Sequence, residues 1–391
     1  MIEFACTCAR GRHAAPVENY IIERGAIEKI PSLLAAYHNI YVVCDQNTYN
    51  AAGKRVEKLL AEHGMLHRLY VIDGETVLPD AVTLGKILLN MSDPAAKSDI
   101  FSFSPQPDFI LAVGSGTVND SCRLVSYRFG IPYGICGTAP SMDGYLSAGS
   151  PIVHDGTKTT VQGTTPRFLI ADLDIMKDAP YDMLLAGIGD MFGKYTGLLD
   201  WELARDMTGE YFCDKIASDV LDATNSCLEN GYNLEKRDPE SIRRVMEGFT
   251  VTGLGMAYTG NSRPASGAEH IIAHAWELMD IEDGNRPHLH GLEVCEATRL
   301  VAIMYRKLYT ETDDEHVRAL IEKYLPYFDR VEDFCCTMHV PPTVTVRARM
   351  LRGVHRALTL RDRYTILFYL RDRNLLETYA AYAVDALCEA L

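Results

Sequence analysis

Between residues 40 and 176 the chain alternates short, wholly apolar runs with stretches whose apolar positions recur every three or four residues. IYVVCD (40–45) precedes a helical pattern through Val56, Leu59 and Leu60. RLYVID (68–73), closing on Asp73-Gly74, precedes another near 80–91, and FILAVGSG (109–116) leads into a third. PYGICGT (132–138) and FLIADLDIM (168–176) add two more runs. SPIVHDGTKTTVQGT (150–164) reads as a hairpin turning at Asp155-Gly156, a favoured two-residue turn. Wholly apolar runs are strands buried on both faces. Their alternation with helices predicts a parallel sheet covered on both sides.

After Pro180 the strand pattern nearly vanishes. Periods of 3.6 dominate 212–230, 240–259, 293–308 and 314–326, while 340–350, with Pro341-Pro342, is irregular. A chain of 391 residues exceeds the ~250–300 that one core supports. The texture changes near 178–181, which divides it into an α/β Rossmann-like nucleotide domain (1–179) and an all-α domain (180–391). A cleft between the two is the default place for a site.

Composition narrows the partners. Apolar content of 47% and charged content of 23% fit a soluble globular protein. A net charge of −15 disfavours nucleic acid and anionic membranes, and no apolar run is long enough for membrane insertion. The N-terminal segment lacks a secretory pattern. The eleven scattered cysteines fit reduced thiols, so the expected location is cytoplasmic. Cys6/Cys8 and Cys335/Cys336 have no CxxC partner and read as buried or incidental thiols.

Three regions carry candidate chemistry. VGSGTVND (113–120) joins a strand to a helix, and Gly114, Ser115, Gly116, Thr117 and Val118 could cradle a pyrophosphate or simply make a tight turn. Asp45, at a strand end, suits either a ribose diol or a helix cap. TAPSMDGYLS (138–147) follows the next strand and offers Thr138, Ser141, Asp143 and Ser147, with Pro140 stiffening the turn. Four of twelve histidines fall between 270 and 290: His270 and His274 on one helical face, His288 and His290 in a turn. A helix histidine, a loop histidine and a distant carboxylate make a catalytic metal set with open positions, although an i,i+4 pair also occurs on ordinary core faces. Asp190, after a Gly-X-Gly turn, is the candidate carboxylate, and Lys194 one turn later could simply pair with it.

GSGTVND, TAPSMDGY, GIGDMFGKYT, NSRPASGAEH and HLHG, in this order and spacing, resemble the sn-glycerol-1-phosphate dehydrogenase family. That family belongs to the iron-type alcohol dehydrogenase and glycerol dehydrogenase superfamily, with a dehydroquinate synthase-like architecture. The resemblance spans nearly the whole chain, to RDRYTILFYL (361–370). It implies Asp190, His270 and His290 as ligands of one divalent metal (zinc or nickel, with iron in superfamily relatives). It implies that His274 and Asp143 face substrate and that Asp190 touches metal and substrate. Gly114–Val118, Thr138, Ala139, Pro140, Ser141 and Ser147 would then bind NAD or NADP, with Asp45 as the only pointer between the two.

The implied reaction is reversible reduction of dihydroxyacetone phosphate to sn-glycerol 1-phosphate. A Lewis-acid ion would polarise the ketone. His274, or a water it holds, would give the proton, its ordinary pKa lying near working pH. The substrate phosphate needs a cation, and Arg263 is favoured over Lys194 for its forked donors, although Arg263 could instead brace a loop. Glu269 is read as pointing away from the His270/His274 face. The rival readings are a glycerol dehydrogenase acting on unphosphorylated polyols, a lyase of dehydroquinate-synthase type, and a nucleotide- and metal-binding protein without turnover. The resemblance also implies a homo-oligomer, a dimer or larger.

Overall fold

A computed structural model describes residues 1–74, 76–92, 106–155 and 157–390. Strands β1 (Ile2–Ala5) and β2 (Arg12–Ala15) pair as an antiparallel hairpin, and β3 (Asn19–Glu23) follows. The turn α1 (Ile30–Leu33) leads to β4 (Ile40–Asp45), and α2 (Gln46–Thr48) and α3 (Lys54–Glu62) return to β5 (Leu66–Ile72). Next come α4 (Ala81–Leu89), β6 (Phe109–Gly114), α5 (Gly116–Phe129) and β7 (Tyr133–Gly137). The hairpin β8 (Gly149–His154) and β9 (Thr157–Gln162) precedes β10 (Phe168–Asp172) and the short α6 (Leu173–Met176). Gly156, half of the turn read from the sequence, lies outside the described residues.

Six strands form one sheet in the order β3-β10-β7-β6-β4-β5, parallel at every junction. Strands β6, β7 and β10 are buried along their whole length and β4 at all but its last residue, as continuous apolar runs require. The sheet has one strand more than the apolar runs predict. β3 is an edge strand paired only with β10, about 150 positions later in the chain. Only Ile22 of NYIIE is buried, so no apolar run announces it. β1 and β2 alternate too weakly and too briefly for the same reason.

From Tyr181 onward the described residues contain helices and no strands: α7 (Tyr181–Thr208), α8 (Asp214–Gly231), α9 (Pro239–Thr259), α10 (Ala268–Glu282) and α11 (His290–Glu311). They are followed by α12 (Glu315–Glu322), α13 (Leu325–Thr337), α14 (Arg347–Leu360), α15 (Ile366–Arg371) and α16 (Leu376–Ala390). The chain is thus a parallel-sheet domain followed by a helical domain. Among the described residues no helix is long and apolar enough to cross a membrane.

Helix α7 is the spine of this second part, and its glycines set the geometry. A Cβ on Gly189 would lie 2.3 Å from the carbonyl oxygen of Gly291, and one on Gly291 would lie 1.8 Å from that of Ala186. A Cβ on Gly187 would fall 1.9 Å from the oxygen of Pro140, and one on Gly193 would come 3.0 Å from the His270 ring. One glycine-bearing stretch therefore touches the turn after β7, the start of α11 and the His270 side of α10 at close range. Larger residues would hold these three segments apart.

A contrast between two glycines tests this. Gly291→Ala should cost about 1–3 kcal/mol of stability or more, since backbone must move. In thermal unfolding the loss should come with reduced metal content, because His290 moves with residue 291. Gly85→Ala, in α4 with nothing within 4 Å, should leave metal content alone and gain about 0.5–1 kcal/mol.

Candidate active site

A cavity of about 690 Å³ opens where the carboxyl ends of the strands meet the helices. Gly116, Thr117 and Asp120 line it from the start of α5, and Met142–Gly144 and Ser147–Gly149 from the segment after β7. Lys158 and Thr160 reach it from the β8–β9 hairpin, and His270, His274 and Glu277 from α10. Residues 286–290 and the pair Arg361 and Arg363 close it.

Helix α10 is pinned at its start. Asp200 accepts from the Ala268 amide (2.7 Å), from the Ile366 amide (2.7 Å) and from the Tyr305 hydroxyl (2.6 Å). Burial and the nearby Glu269 push its carboxyl up to about 7. Glu269 accepts from the Gly267 amide (2.6 Å) and the Thr196 hydroxyl (2.8 Å). It also holds His270 Nδ1 at 2.7 Å, so it orients the imidazole instead of pointing away from it. His270 Nε2 is left facing Asp190 Oδ1 at 3.2 Å.

Asp190, His270 and His290 place one donor atom each within 4.8 Å of one another. His290, the first residue of α11, has Nδ1 bound to Glu277 at 2.7 Å, which leaves Nε2 as its free donor. Both imidazoles thus have a carboxylate behind them, the usual arrangement for metal-binding histidines. Burial alone would raise the Asp190 carboxyl, but Lys194 and His270 hold it well below the carboxylate range. The donors suit a divalent ion: two imidazoles, one carboxylate held ionised and a cavity on the open side.

A second set, His274, Glu277 and His290, is equally close-set. Glu277 is already ion-paired with Lys158 and bonded to His290. Burial would raise its carboxyl, and Lys158 and His290 overcome that to hold it at about 2. Asp190 is engaged as well, Oδ1 by Lys194 and Oδ2 by the Asp143 amide, but its Oδ1 also meets the ring nitrogen of His270 that Glu269 leaves free. Glu277 already holds His290 by Nδ1 and so orients a ligand ring, which favours the set containing Asp190. Nothing in a carboxylate seven positions after His270 signals this orienting role in the sequence.

Several expected contacts fall elsewhere. Lys194 is fully buried between Asp143 Oδ2 (2.8 Å) and Asp190 Oδ1 (2.9 Å), so its ammonium is spent behind the site. Arg263 grips Glu210 with two nitrogens and donates to the Tyr364 carbonyl (2.9 Å); it braces a loop and does not line the cavity. The cavity's cations are instead Lys158, Arg286, Arg361 and Arg363. His274 faces the cavity and has no hydrogen-bond partner among the described residues. Burial, with Lys158 and Arg361 nearby, pushes its pKa well below the ordinary histidine value, so it is neutral and not a ready acid.

On the sheet side, Gly116 and Thr117 reach the cavity, while Gly114, Ser115 and Val118 form the turn behind them. Thr138, Ala139, Pro140 and Ser141 are buried or nearly so, and the Thr138 amide bonds Gly114 O at 3.1 Å. Ser147 lines the cavity, as does Asp143, whose amide donates to Asp190 Oδ2 at 2.9 Å. Asp45 stands at the end of β4 beside β6, where the strand order reverses. Its Oδ1 caps α2 by accepting from the Thr48 amide at 2.8 Å.

Glu277→Gln separates orientation from ligation. Metal affinity by competition with a chelator should fall about 10–100-fold, the usual effect of losing such a carboxylate. The folded value of Glu277 lies below the ordinary 4.5, so its ion pair stabilises fully above that pH and is lost as pH falls toward 2. The variant should accordingly show a shallower loss of stability over that acid range.

A family model described as iron-containing alcohol dehydrogenase matches residues 21–180. Glycerol-1-phosphate dehydrogenase (NAD(P)+) of Bacillus licheniformis is 33% identical over 384 residues, covering 95% of this chain and 93% of that protein. The Bacillus subtilis protein of the same name is 34% identical over 383 residues, covering 94% of each. Among solved structures, the iron-containing alcohol dehydrogenase of Thermococcus thioreducens superposes with a TM-score of 0.71 at 12% identity. It covers 96% of this chain and 99% of that one, a likeness of fold. With its cavity, its donor set and these relatives together, the chain belongs to the glycerol-1-phosphate dehydrogenase family.

Proposed function

We propose that the protein catalyses the metal-dependent, NAD(P)H-linked, reversible reduction of dihydroxyacetone phosphate to sn-glycerol 1-phosphate. One observation carries the reading. A His/His/Asp donor set shares its cavity with two arginines that have no carboxylate partner among the described residues. Arg363 donates only to the Ser266 carbonyl and the Ser262 hydroxyl, each at 2.9 Å, and Arg361 to the Thr160 hydroxyl at 2.7 Å. Burial, then repulsion from Arg361 and Arg263, lowers the Arg363 pKa to about 9. Two part-buried cations that repel each other are stabilised by an anion between them, and a phosphate monoester has the charge and the acceptors for that place.

Asp190, His270 and His290 would hold the ion, and the loop at Gly116 and Thr117, with Ser147, would face the dinucleotide. When bound, the ion supplies Lewis-acid polarisation of the ketone oxygen, and the nicotinamide supplies hydride. The arginine pair fixes the phosphate end of the substrate. Lys158 and Glu277 keep the hairpin closed over α10. His274, being neutral, takes a proton at one ring nitrogen as it releases another, relaying it between water and the product oxygen. Asp143, whose amide braces Asp190, faces the same space. The donor set suits zinc, nickel or iron(II). The enzyme is read as a cytoplasmic homo-oligomer, a location supported by eleven free cysteines.

The test is NADH oxidation with dihydroxyacetone phosphate before and after chelation, with chiral analysis of the product. Activity should vanish on metal removal, return on readdition, and yield only sn-glycerol 1-phosphate. Arg363→Gln should lower kcat/KM for the phosphorylated ketone about 10–100-fold and leave unphosphorylated dihydroxyacetone little changed. Arg263→Ala should lower Tm without that selectivity. Equal rates of the wild type on both ketones would favour the polyol dehydrogenase reading instead.

A further inference from the structure

Four side chains outside the lining of the cavity converge from two distant parts of the sequence. Cys6 and Cys8 follow β1, His13 lies on β2, and Cys213 is the residue before α8. Their donor atoms all lie within 4.8 Å of one another. Cys6 Sγ and Cys213 Sγ are 3.7 Å apart, Cys8 Sγ and His13 Nε2 3.2 Å, and Cys213 Sγ and His13 Nε2 3.6 Å. With metal–sulfur and metal–nitrogen bonds of about 2.3 and 2.05 Å, a tetrahedron has S···S edges of about 3.8 Å and S···N edges of about 3.6 Å. The observed edges fit that figure to within a few tenths of an ångström.

From this geometry we infer that Cys6, Cys8, His13 and Cys213 bind a second, structural divalent ion of zinc type, separate from the catalytic one. The donor set is the Cys₃His class of closed structural zinc sites, with soft thiolates and an imidazole and no place left for substrate. A disulfide is the alternative use of nearby thiols, but all eleven cysteines are free here, and three sulfurs with one imbedded imidazole exceed what a disulfide needs. The surroundings fit as well. The Tyr211 hydroxyl sits 3.3 Å from Cys8 Sγ, where it can donate to a thiolate. The Arg10 guanidinium lies 4.1 Å over the Tyr211 ring, placing positive charge beside a site whose three thiolates outweigh the ion by one unit. His13 is wedged against Phe4 and Tyr258, with ring centroids 5.0 and 6.0 Å away. Cys6 and Cys8 are only partly buried, which leaves an access route for the ion.

The ion would staple the N-terminal hairpin to the segment between α7 and α8. That segment also holds Glu210, the partner of Arg263. Arg10, on the same hairpin, donates to the carbonyls of Tyr258 (3.2 Å) and Thr259 (2.9 Å), just before Gly260–Ser262 reach the cavity wall. The staple would thus brace one wall of the active site without touching substrate.

Metal analysis of the intact protein tests this independently of the dehydrogenase reading. Wild type should carry two ions per chain, and Cys8→Ser/Cys213→Ser should carry one, with a lower Tm. Loading wild type with cobalt(II) should produce thiolate-to-metal charge-transfer absorption, which the sulfur-free catalytic set cannot give. That readout survives if the double variant fails to fold. The inference is overturned if cobalt-loaded wild type lacks the band. It is also overturned if the folded double variant keeps the full metal complement, or if the mass of wild type is two hydrogens short through a Cys6–Cys213 disulfide.

Discussion

The closest backbone contacts around the site are those between α7 and its neighbours, and the rest of it hangs on them. Asp190 comes from α7, His270 from α10 and His290 from the first residue of α11, so three helix axes must meet at ligand distance. Residues with side chains keep helices 8–10 Å apart. Glycines at 187, 189, 193 and 291 remove that obstacle where the backbones nearly touch. The same stretch presses on Pro140, which ties the sheet domain to the ligand helix and sets Asp143 against Asp190.

Close approach creates an electrostatic problem that the surrounding charges resolve. Asp143, Asp190, Glu269 and Glu277 are nearly or wholly buried, and unpaired charges there would be costly. Lys194 lies between the first two, Lys158 and His290 satisfy Glu277, and a hydroxyl, an amide and His270 satisfy Glu269. The carboxylates behind the imidazoles fix which nitrogen faces the centre, so the donors are oriented before any ion arrives. Elsewhere along the cavity the balance is reversed: Arg361 and Arg363 have no ion-pair partner among the described residues, and positive charge collects where an anionic substrate would sit.

The parallel sheet was legible because buried strands are written as continuous apolar runs, as in IYVVCD and FILAVG. The edge strand β3 was not, because its pairing with β10 is a long-range event and its outer face is polar. The candidate donor set was legible in GIGDMFGKYT, SGAEH and HLHG, and its three members, Asp190, His270 and His290, do come together in the fold. The carboxylates behind the imidazoles and the two cavity arginines were not. Glu269 and Glu277 look like ordinary helix acids until the fold turns them inward, and Arg263 looks as suitable as Arg363 until Glu210 is seen to occupy it. The Cys₃His cluster joins residues 6 and 213, a separation no local motif expresses.

The most direct test of this arrangement is a diffraction experiment on the metal-loaded enzyme, with data collected on both sides of the metal's absorption edge. The account predicts an anomalous peak bonded to Asp190, His270 Nε2 and His290 Nε2, with Glu269 and Glu277 hydrogen-bonded behind the two rings. A peak bonded to His274, Glu277 and His290, with Asp190 left paired to Lys194 alone, would contradict it.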